Sequence, residues 1–378
     1  MPRPRILAVD DEPGMLRAIE RVLASRYDVR TCRVPSQAIE IVGAEPFDLA
    51  LLDIRMPEMD GFELMSRLTA RCDLGVILMT GSTDERDARL VRAIRERAFF
   101  FLAKPFEREV LLTLVERCLE VRRLDAENQR HLLRLRRELQ AALIFQQSLL
   151  PARAATCNGL EITLDYEPCG ELCGDFCDYV LDDHAPCALI LTDVCGHGAP
   201  AAMLTGIIKQ VFHDTALEEH APLVVLQRIV AASRRFPLDR HLTGVCVRIH
   251  RGSNTLEFVN AGHPPGLLVR PDGEIIRLDS SAPLVHPVLP DWHCEQRVAP
   301  MRPGDQLLLY TDGLTEARNP DGEEFGIERL VVVTRRLAGY STDLTGPERI
   351  ASLRGEIAAF TAGRPREDDL TLVLIRRL

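Results

Sequence analysis

Over the first 120 residues, short apolar runs alternate with segments of helical spacing. "RILAVD", "YDVRTC", "FDLALLD", "GVILMTG" and "FFFLA" have the length of buried strands. "PGMLRAIERVLAS" places apolar residues at Met15, Ile19, Val22 and Leu23, one face of a helix. Helical patterns recur in "PSQAIEIVG", in "DGFELMSRLTA", from about Asp84 and from Glu107. Five strands, each followed by a helix, predict a doubly wound α/β domain whose five-stranded sheet is parallel with helices on both faces.

The pattern then changes. Residues 107–150 contain no Pro or Gly and are rich in Leu, Arg, Glu and Gln. Apolar residues three and four apart run through Leu111, Leu114, Cys118 and Val121, then Leu132, Leu135, Leu139, Ala142 and Leu149. Only Asp125, Asn128 and Gln146 interrupt them. A sustained heptad predicts a helical coiled-coil linker and, with it, a homodimer.

The remainder is β-rich. "LEITLDYEP", "CALILTDV", "GVCVRIH", "TLEFVNAG", "DQLLLYTDG" and "LTLVLIRRL" are strand-like. "APAAMLTGIIKQVFH", "APLVVLQRIVAASRRF" and "GPERIASLRGEIAAF" are helix-like. Runs of strands with helices between them predict an α+β layered domain. The expected organisation is multidomain: 1–120, the linker 121–156, and 157–378.

Composition narrows the function classes. A length of 378 residues suits two or three domains, and 46% hydrophobic with 27% charged residues is ordinary for a soluble chain. A net charge of -10 argues against nucleic acid as a partner, which needs a basic face. No apolar run reaches the length of a membrane span, and "MPRPRILAVDDE" lacks the apolar core of a signal peptide. A cytoplasmic location is expected. The 11 cysteines fit reduced thiols better than a disulfide framework. Cys169, Cys173 and Cys177 surround a Gly-Asp turn without a second pair at zinc spacing, so no cysteine metal site is expected.

The candidate chemistry lies in carboxylates. In "LLDIRMPEMDG" an apolar run ends on Asp53, and a lone strand-end aspartate is often only a loop cap. In a parallel sheet, however, ligands sit beyond the carboxyl ends of the strands. Asp10 and Asp11 end the first strand, Asp53 the third, Thr80 the fourth, and Lys104, before Pro105, the fifth. Three carboxylates at one edge repel unless a hard cation joins them, and oxygen ligands suit Mg²⁺. An aspartate so placed, with an ammonium and a hydroxyl nearby, can accept a phosphoryl group.

On those residues the segment resembles the CheY-like receiver domain of response regulators. The resemblance implies that Asp53 is phosphorylated and that Asp10, Asp11, Asp53 and the Arg55 backbone carbonyl hold Mg²⁺. It also implies that Thr80 and Lys104 contact the phosphoryl group and that Phe101 is an aromatic switch. "RERAFFFLAKPF" departs from the family in lacking a Gly-Ala turn before the fifth strand.

Further along, Asp175 in "CGDFCDY", Asp193 in "LTDVCGHG", Asp312 in "LLYTDG" and Asp368 with Asp369 in "REDDLTLVL" all fall at strand ends or turns. Each alone suits a turn. Together they form an all-oxygen set that favours Mg²⁺ or Mn²⁺ over zinc. Two such ions sharing a carboxylate acidify water and clamp a phosphate ester for in-line attack.

With "AALIFQQSLLP", "GDFCDY", "DVCGHGAPAAM", "NAGHPP", "MRPGDQLLLYTDGLTEARN" and "DDLTLVLIRRL" in this order, residues 140–378 resemble PPM-type metal-dependent Ser/Thr protein phosphatases of the SpoIIE/RsbU-like branch. The resemblance implies two Mn²⁺ or Mg²⁺ ions. Asp193 would bridge them, with the Val194 carbonyl on one; Asp175, Asp312 and Asp368 would complete the shells directly or through water, and Asp193 and Asp312 would be the catalytic pair. Of the pair, Asp368 rather than Asp369 is the expected ligand. Cys173 and Cys195 replace a usual Gly and Ser without removing a ligand. His197 and His263 are expected to be hydrogen-bonding structural residues, and Gly196, Gly198 and Gly313 to permit tight turns. "CGDF" has a faint likeness to diguanylate cyclases, which the later motifs outweigh; neither a Walker loop nor a helix-turn-helix is evident.

The expected protein is a response regulator. A sensor histidine kinase would phosphorylate Asp53, and the output would be hydrolysis of phosphoserine or phosphothreonine on a protein. The family resemblance suggests a STAS-domain anti-sigma-factor antagonist as substrate. The alternative is a receiver-gated scaffold that binds the same partner without turnover. The sequence leaves the sign of the phosphorylation effect open.

Overall fold

The computed structural model describes residues 3–378 except 82–99, 158, 171, 183–185, 197, 217–220, 236–239, 251, 288–291 and 340–343. The chain divides into two compact units, Met1–Leu135 and Arg136–Leu378.

The first unit is built on β1 (Arg5–Val9), β2 (Asp28–Cys32), β3 (Leu49–Asp53), β4 (Gly75–Thr80) and β5 (Phe100–Ala103). They form one parallel sheet in the order β2-β1-β3-β4-β5. β1 and β3 are central and sided by apolar residues on both faces, which explains their uninterrupted apolar sequence. Leu7, Val9, Leu52 and Leu78 pack on one face against α2 (Pro35–Ala44) and α3 (Gly61–Thr69). Ile6, Leu51, Ile77 and Met79 pack on the other against α1 (Pro13–Leu23) and the start of α4 (Arg108–Leu149). Helix α3 starts where Asp60 accepts the Glu63 N–H at 2.7 Å, an N-cap that satisfies an otherwise orphaned donor. The helix expected from about Asp84 lies outside the described residues.

Helix α4 is continuous over 42 residues. Its apolar positions do not form the single seam expected from the sequence. Leu111 and Cys118 are fully buried in the core of the first unit, beside Val115, and Leu114 packs against them. At the other end Leu149 packs against a core of the second unit. The 3-4 spacing there reflects a helix covering a sheet, which has nearly the same period as a coiled-coil seam. Only the middle keeps the expected exposure, with Val121 37%, Leu132 49% and Leu135 52% exposed.

The second unit contains two antiparallel sheets. One has the order β14 (Arg297–Pro300), β11 (Thr255–Ala261), β10 (Leu242–His250), β9 (Cys187–Val194), β8 (Asp175–Val180). The other has the order β13 (Ile275–Leu278), β12 (Gly266–Val269), β15 (Gln306–Tyr310), β16 (Leu370–Arg377), β7 (Leu160–Glu167), β6 (Ala154–Cys157). Leu189, Leu191, Val245 and Val247 from the first sheet share one core with Ile162, Leu164, Leu309 and Val373 from the second. Helices α5 (Ala199–Ala216) and α6 (Pro222–Ser233) cover the outer face of the first sheet. After the one-turn α7 (Asp312–Thr315), α8 (Gly326–Gly339) and α9 (Gly346–Thr361) cover the second. The result is a helix–sheet–sheet–helix sandwich, which is an α+β layered domain. Among the described residues no helix is long and apolar enough to cross a membrane.

Candidate functional site

Two carboxylate centres stand out, one in each unit. In the first, the ends of β1 and β3 bring ligand atoms of Asp10, Asp11 and Asp53 within 4.8 Å of one another. Lys104, just after β5, donates from Nζ to Asp10 Oδ2 at 2.6 Å and lies 2.9 Å from Asp53 Oδ1. Its backbone N–H goes to the Thr80 carbonyl at 2.6 Å, which ties β5 to β4 at this edge. Burial pushes the Asp53 carboxyl up, against the pull of Lys104. Lys104 loses solvation too, yet its two carboxylate partners hold its pKa above the usual lysine value. The donors are all oxygens, as a hard cation requires, and the neighbouring ammonium suits a phosphorylated aspartate. Phe101 is half-buried against the core beneath, and Arg55 is exposed beside Asp53 and Ile54.

In the second unit, Asp175 and Asp193 are cross-strand partners on β8 and β9. Asp193, Asp312, Asp368 and Asp369 line a cavity of about 660 Å³ together with Cys195, Thr243 and His241. Asp175 lies beneath them, buried, with Oδ2 accepting from Thr311 Oγ1 at 2.8 Å and Thr371 Oγ1 at 2.6 Å. Neither threonine was singled out in the sequence; Thr311 sits unmarked in "YTDG" and Thr371 in "DDLTLVL".

Two glycines draw the carboxylates together. A Cβ on Gly174 would lie 2.5 Å from the Val194 carbonyl oxygen and 3.3 Å from Asp193 Oδ1. A Cβ on Gly313 would lie 1.9 Å from the Asp369 carbonyl oxygen, so no other residue lets α7 and the start of β16 approach this closely. Gly313 therefore serves by close contact, whereas Gly196 and Gly198 turn the chain with φ of +89° and +85°.

The electrostatics reflect carboxylates gathered close together. Burial pushes the Asp193 carboxyl up to about 7, reinforced by Asp312 and then Asp368. Asp312 is raised by burial and Asp368, and Asp175 well above its normal value by burial and Asp193, despite its two threonine donors. Such a set is satisfied by divalent cations, and its all-oxygen chemistry fits Mg²⁺ or Mn²⁺. Cys173 is buried, and burial drives its thiol far up.

His263 is buried, and burial lowers its pKa to about 3, so the ring is neutral. Its Nδ1 lies 2.8 Å from the hydroxyl of Thr243, the cross-strand partner of Asp193, and its backbone N–H donates to Asn260 Oδ1 at 2.9 Å. That is a supporting position behind the site. His197 lies outside the described residues. Asp369, buried and next to the cavity-lining Asp368, accepts the N–H groups of Cys169 at 2.7 Å and Gly174 at 3.0 Å.

The fold and this centre define a metal-dependent phosphatase domain of the PPM class, carried behind a receiver domain. The family model described as "Stage II sporulation protein E (SpoIIE)" matches residues 183–378, just over half of the chain, and the chain belongs to that family. The model "Response regulator receiver domain" matches residues 6–116. Among curated proteins the chain is similar to Protein IcfG of Synechocystis sp., 26% identical over 272 residues, covering 64% of this chain and 42% of that protein. It is also similar to the C4-dicarboxylate transport transcriptional regulatory protein DctD of Pseudomonas aeruginosa, 39% identical over 148 residues, covering 37% of this chain and 31% of that one. The chain thus spans less than half the length of these relatives. The solved SiaA-PP2C domain of Pseudomonas aeruginosa has the same fold as the second unit, with a TM-score of 0.57 at 23% identity over 65% of this chain and 98% of that one.

Proposed function

We propose that this chain is a two-component response regulator in which phosphorylation of Asp53 by a sensor histidine kinase controls hydrolysis of phosphoserine or phosphothreonine on a protein partner. The substrate class we favour is a STAS-domain anti-sigma-factor antagonist, and the site of action is the cytoplasm. The observation that carries the reading is the cavity onto which Asp193, Asp312 and Asp368 open above the threonine-held Asp175.

Asp193, with Asp175, Asp312, Asp368 and the Val194 carbonyl, would hold two Mn²⁺ or Mg²⁺ ions, and Asp10, Asp11, Asp53 and the Arg55 carbonyl would hold one Mg²⁺. Bound cations supply Lewis acidity to the phosphoryl group and lower the pKa of water. The chain's own residues fix the ligands. Thr311 and Thr371 engage one oxygen of Asp175 and set its orientation. In the receiver, Lys104 already spans Asp10 and Asp53, so a phosphoryl group on Asp53 would meet an ammonium at hydrogen-bond distance. Thr80 on the neighbouring strand would take a phosphoryl oxygen, and Phe101 would follow the rearrangement.

We further propose a homodimer through the middle of α4. Leu132, Leu133 and Leu135 are about half exposed, and full burial of a leucine contributes roughly 2 kcal/mol. A second copy of the helix is the partner whose apolar spacing matches.

The direct test is p-nitrophenyl phosphate hydrolysis with added Mn²⁺. Activity that Asp193→Ala abolishes, in a chain that stays folded, supports the reading. Substantial turnover by Asp193→Ala at saturating Mn²⁺ contradicts the site, and binding of a partner without any turnover by the wild type would favour the scaffold alternative.

A further inference from the structure

The cavity that holds Asp193 and Asp368 has one-sided chemistry. Its charged walls are Asp193, Asp312, Glu367, Asp368 and Asp369, and among the described residues that line it none is a lysine or arginine. A cation stands at its edge instead. Arg240, shortly before β10, donates from Nη1 to the Cys195 carbonyl at 2.7 Å. Cys195 in turn donates its N–H to the His241 carbonyl at 3.0 Å, and Cys195, Gly196 and His241 all line the cavity.

The guanidinium lies across the turn at Cys195 and Gly196. A Cβ on Gly196 would sit 2.3 Å from its Nη1, 3.3 Å from Cζ and 3.7 Å from Nη2. Glycine there takes a φ of +89° and also leaves the space that Arg240 fills. A guanidinium carries five N–H donors in a planar fork. Tying down one carbonyl takes one of them, and Arg240 has no carboxylate partner among the described residues. The turn beneath is folded onto the ligand carboxylate. The carbonyl oxygens of Val194 and Gly196 and Asp193 Oδ1 all fall within 3.3 Å of the point that a Cβ on Gly174 would take.

We propose that Arg240 is a specificity-determining residue that takes a carboxylate of the phosphorylated protein, an aspartate or glutamate within three positions of the phosphorylated residue. The inference rests on the phosphatase reading of the site and narrows its substrate class. The reach sets the spacing. Gly196 is three residues from Asp193, a span of at most about 11 Å, and an extended peptide advances about 3.3 Å per residue. The planar fork matches a carboxylate bidentately. The acidic walls repel a carboxylate elsewhere in the cavity, so one cation at the edge fixes the register of the bound segment as well as its affinity.

The test uses the full chain at saturating Mn²⁺ and phosphoserine peptides with neutral flanks. Matched peptides carry one Asp, or one Lys, at each position up to three residues on either side. Each kcat/KM is divided by the same chain's value for p-nitrophenyl phosphate, which has no flank. In the wild type, Asp at one or more positions should raise the ratio about 5-fold, the upper end for a partly exposed ion pair, and high salt should erase the gain. The gain should fall on KM, because a contact away from the phosphoryl group is kept in ground and transition state alike. Arg240→Gln should lose it, and Arg240→Glu should transfer it to Lys at the same position, which a merely structural tie to Cys195 would not do. A wild type indifferent to Asp at every position, or an Arg240→Glu chain that keeps the wild-type preference, would overturn the inference. A folded wild type that hydrolyses neither the peptides nor p-nitrophenyl phosphate would instead contradict the proposed function. Fluorescence anisotropy of the same peptides on wild type and Arg240→Glu would then decide this point by the same reversal.

Discussion

The carboxylate of Asp369 accepts the backbone N–H of Gly174 at 3.0 Å, across 195 residues of chain. With its second bond, to the Cys169 N–H, it closes the loop that leads to Asp175 onto the start of β16. Its neighbour Asp368, which lines the same cavity, is exposed where Asp369 is buried, so on the proposed reading Asp369 supports the loop and Asp368 is the ligand.

That division predicts opposite phenotypes. Asp369→Ala leaves two backbone donors without their carboxylate, each worth about 1–3 kcal/mol if buried, and should lower the melting temperature of the second unit clearly. Asp368→Ala should leave the melting temperature of the metal-free chain nearly unchanged and lower Mn²⁺-dependent turnover. Thermal unfolding beside p-nitrophenyl phosphate kinetics separates the two. Equal loss of stability in both variants would remove the distinction.

The clustered carboxylates also predict a pH dependence of the metal-free protein. Asp193 is raised to about 7 in the fold, by burial first and then by Asp312 and Asp368, whereas an unfolded aspartate titrates near 4. Between those values the folded state binds the extra proton, so acid favours folding and stability falls as the pH rises through about 7. In chelator, the melting temperature of the second unit should drop from pH 5 to pH 8, and the drop should be smaller in Asp193→Asn. A wild-type chain with the same slope as the variant would show that Asp193 titrates normally.

Much of this arrangement was legible in the sequence where a strand is buried on both faces. Leu49–Asp53 ends on a carboxylate and Cys187–Val194 carries one next to its last residue, and both mostly apolar runs were read as strands. Asp175–Val180 was read as a motif and not as a strand, because its two aspartates break the apolar run. Helix α8 was missed since its buried Leu330 and Val333 lie in the run "LVVVT", whose consecutive β-branched residues show no helical period. Partners far along the chain left no local trace. Nothing near Arg240 announces Cys195, and nothing near Thr371 announces Asp175. The 3-4 spacing of α4 was visible, but spacing says only that one face is apolar. Leu111 and Cys118 are covered by the first unit's own core and Leu149 by the second's, which shortens any coiled coil to the middle of the helix.

For the receiver, acetyl phosphate with Mg²⁺ should modify Asp53, and Asp53→Asn should abolish the modification. Lys104→Ala removes the ammonium that spans Asp10 and Asp53, so it should preserve modification of Asp53 while uncoupling it from phosphatase rate. Mass spectrometry and parallel activity assays check both. Equal modification of wild type and Asp53→Asn would move the acceptor elsewhere.

If a paired α4 carries the signal, its heptad phase matters. Removing the four residues Asp125–Asn128 shifts the apolar face, whereas removing the seven residues Asp125–His131 restores it. The first deletion should uncouple activity from Asp53 phosphorylation and the second should largely keep the coupling. Light scattering that finds a monomer in both phosphorylation states, or deletions that behave alike, would rule out this route.

One measurement reaches both carboxylate centres. Candidate STAS-domain proteins phosphorylated on serine or threonine are incubated with the full chain and Mn²⁺, with and without acetyl phosphate, beside Asp53→Asn and Asp193→Ala chains. The account predicts release of phosphate by the wild type at a rate that acetyl phosphate changes, a rate indifferent to acetyl phosphate in Asp53→Asn, and none in Asp193→Ala. Release that is the same with and without acetyl phosphate in the wild type, or that survives in Asp193→Ala, would contradict it.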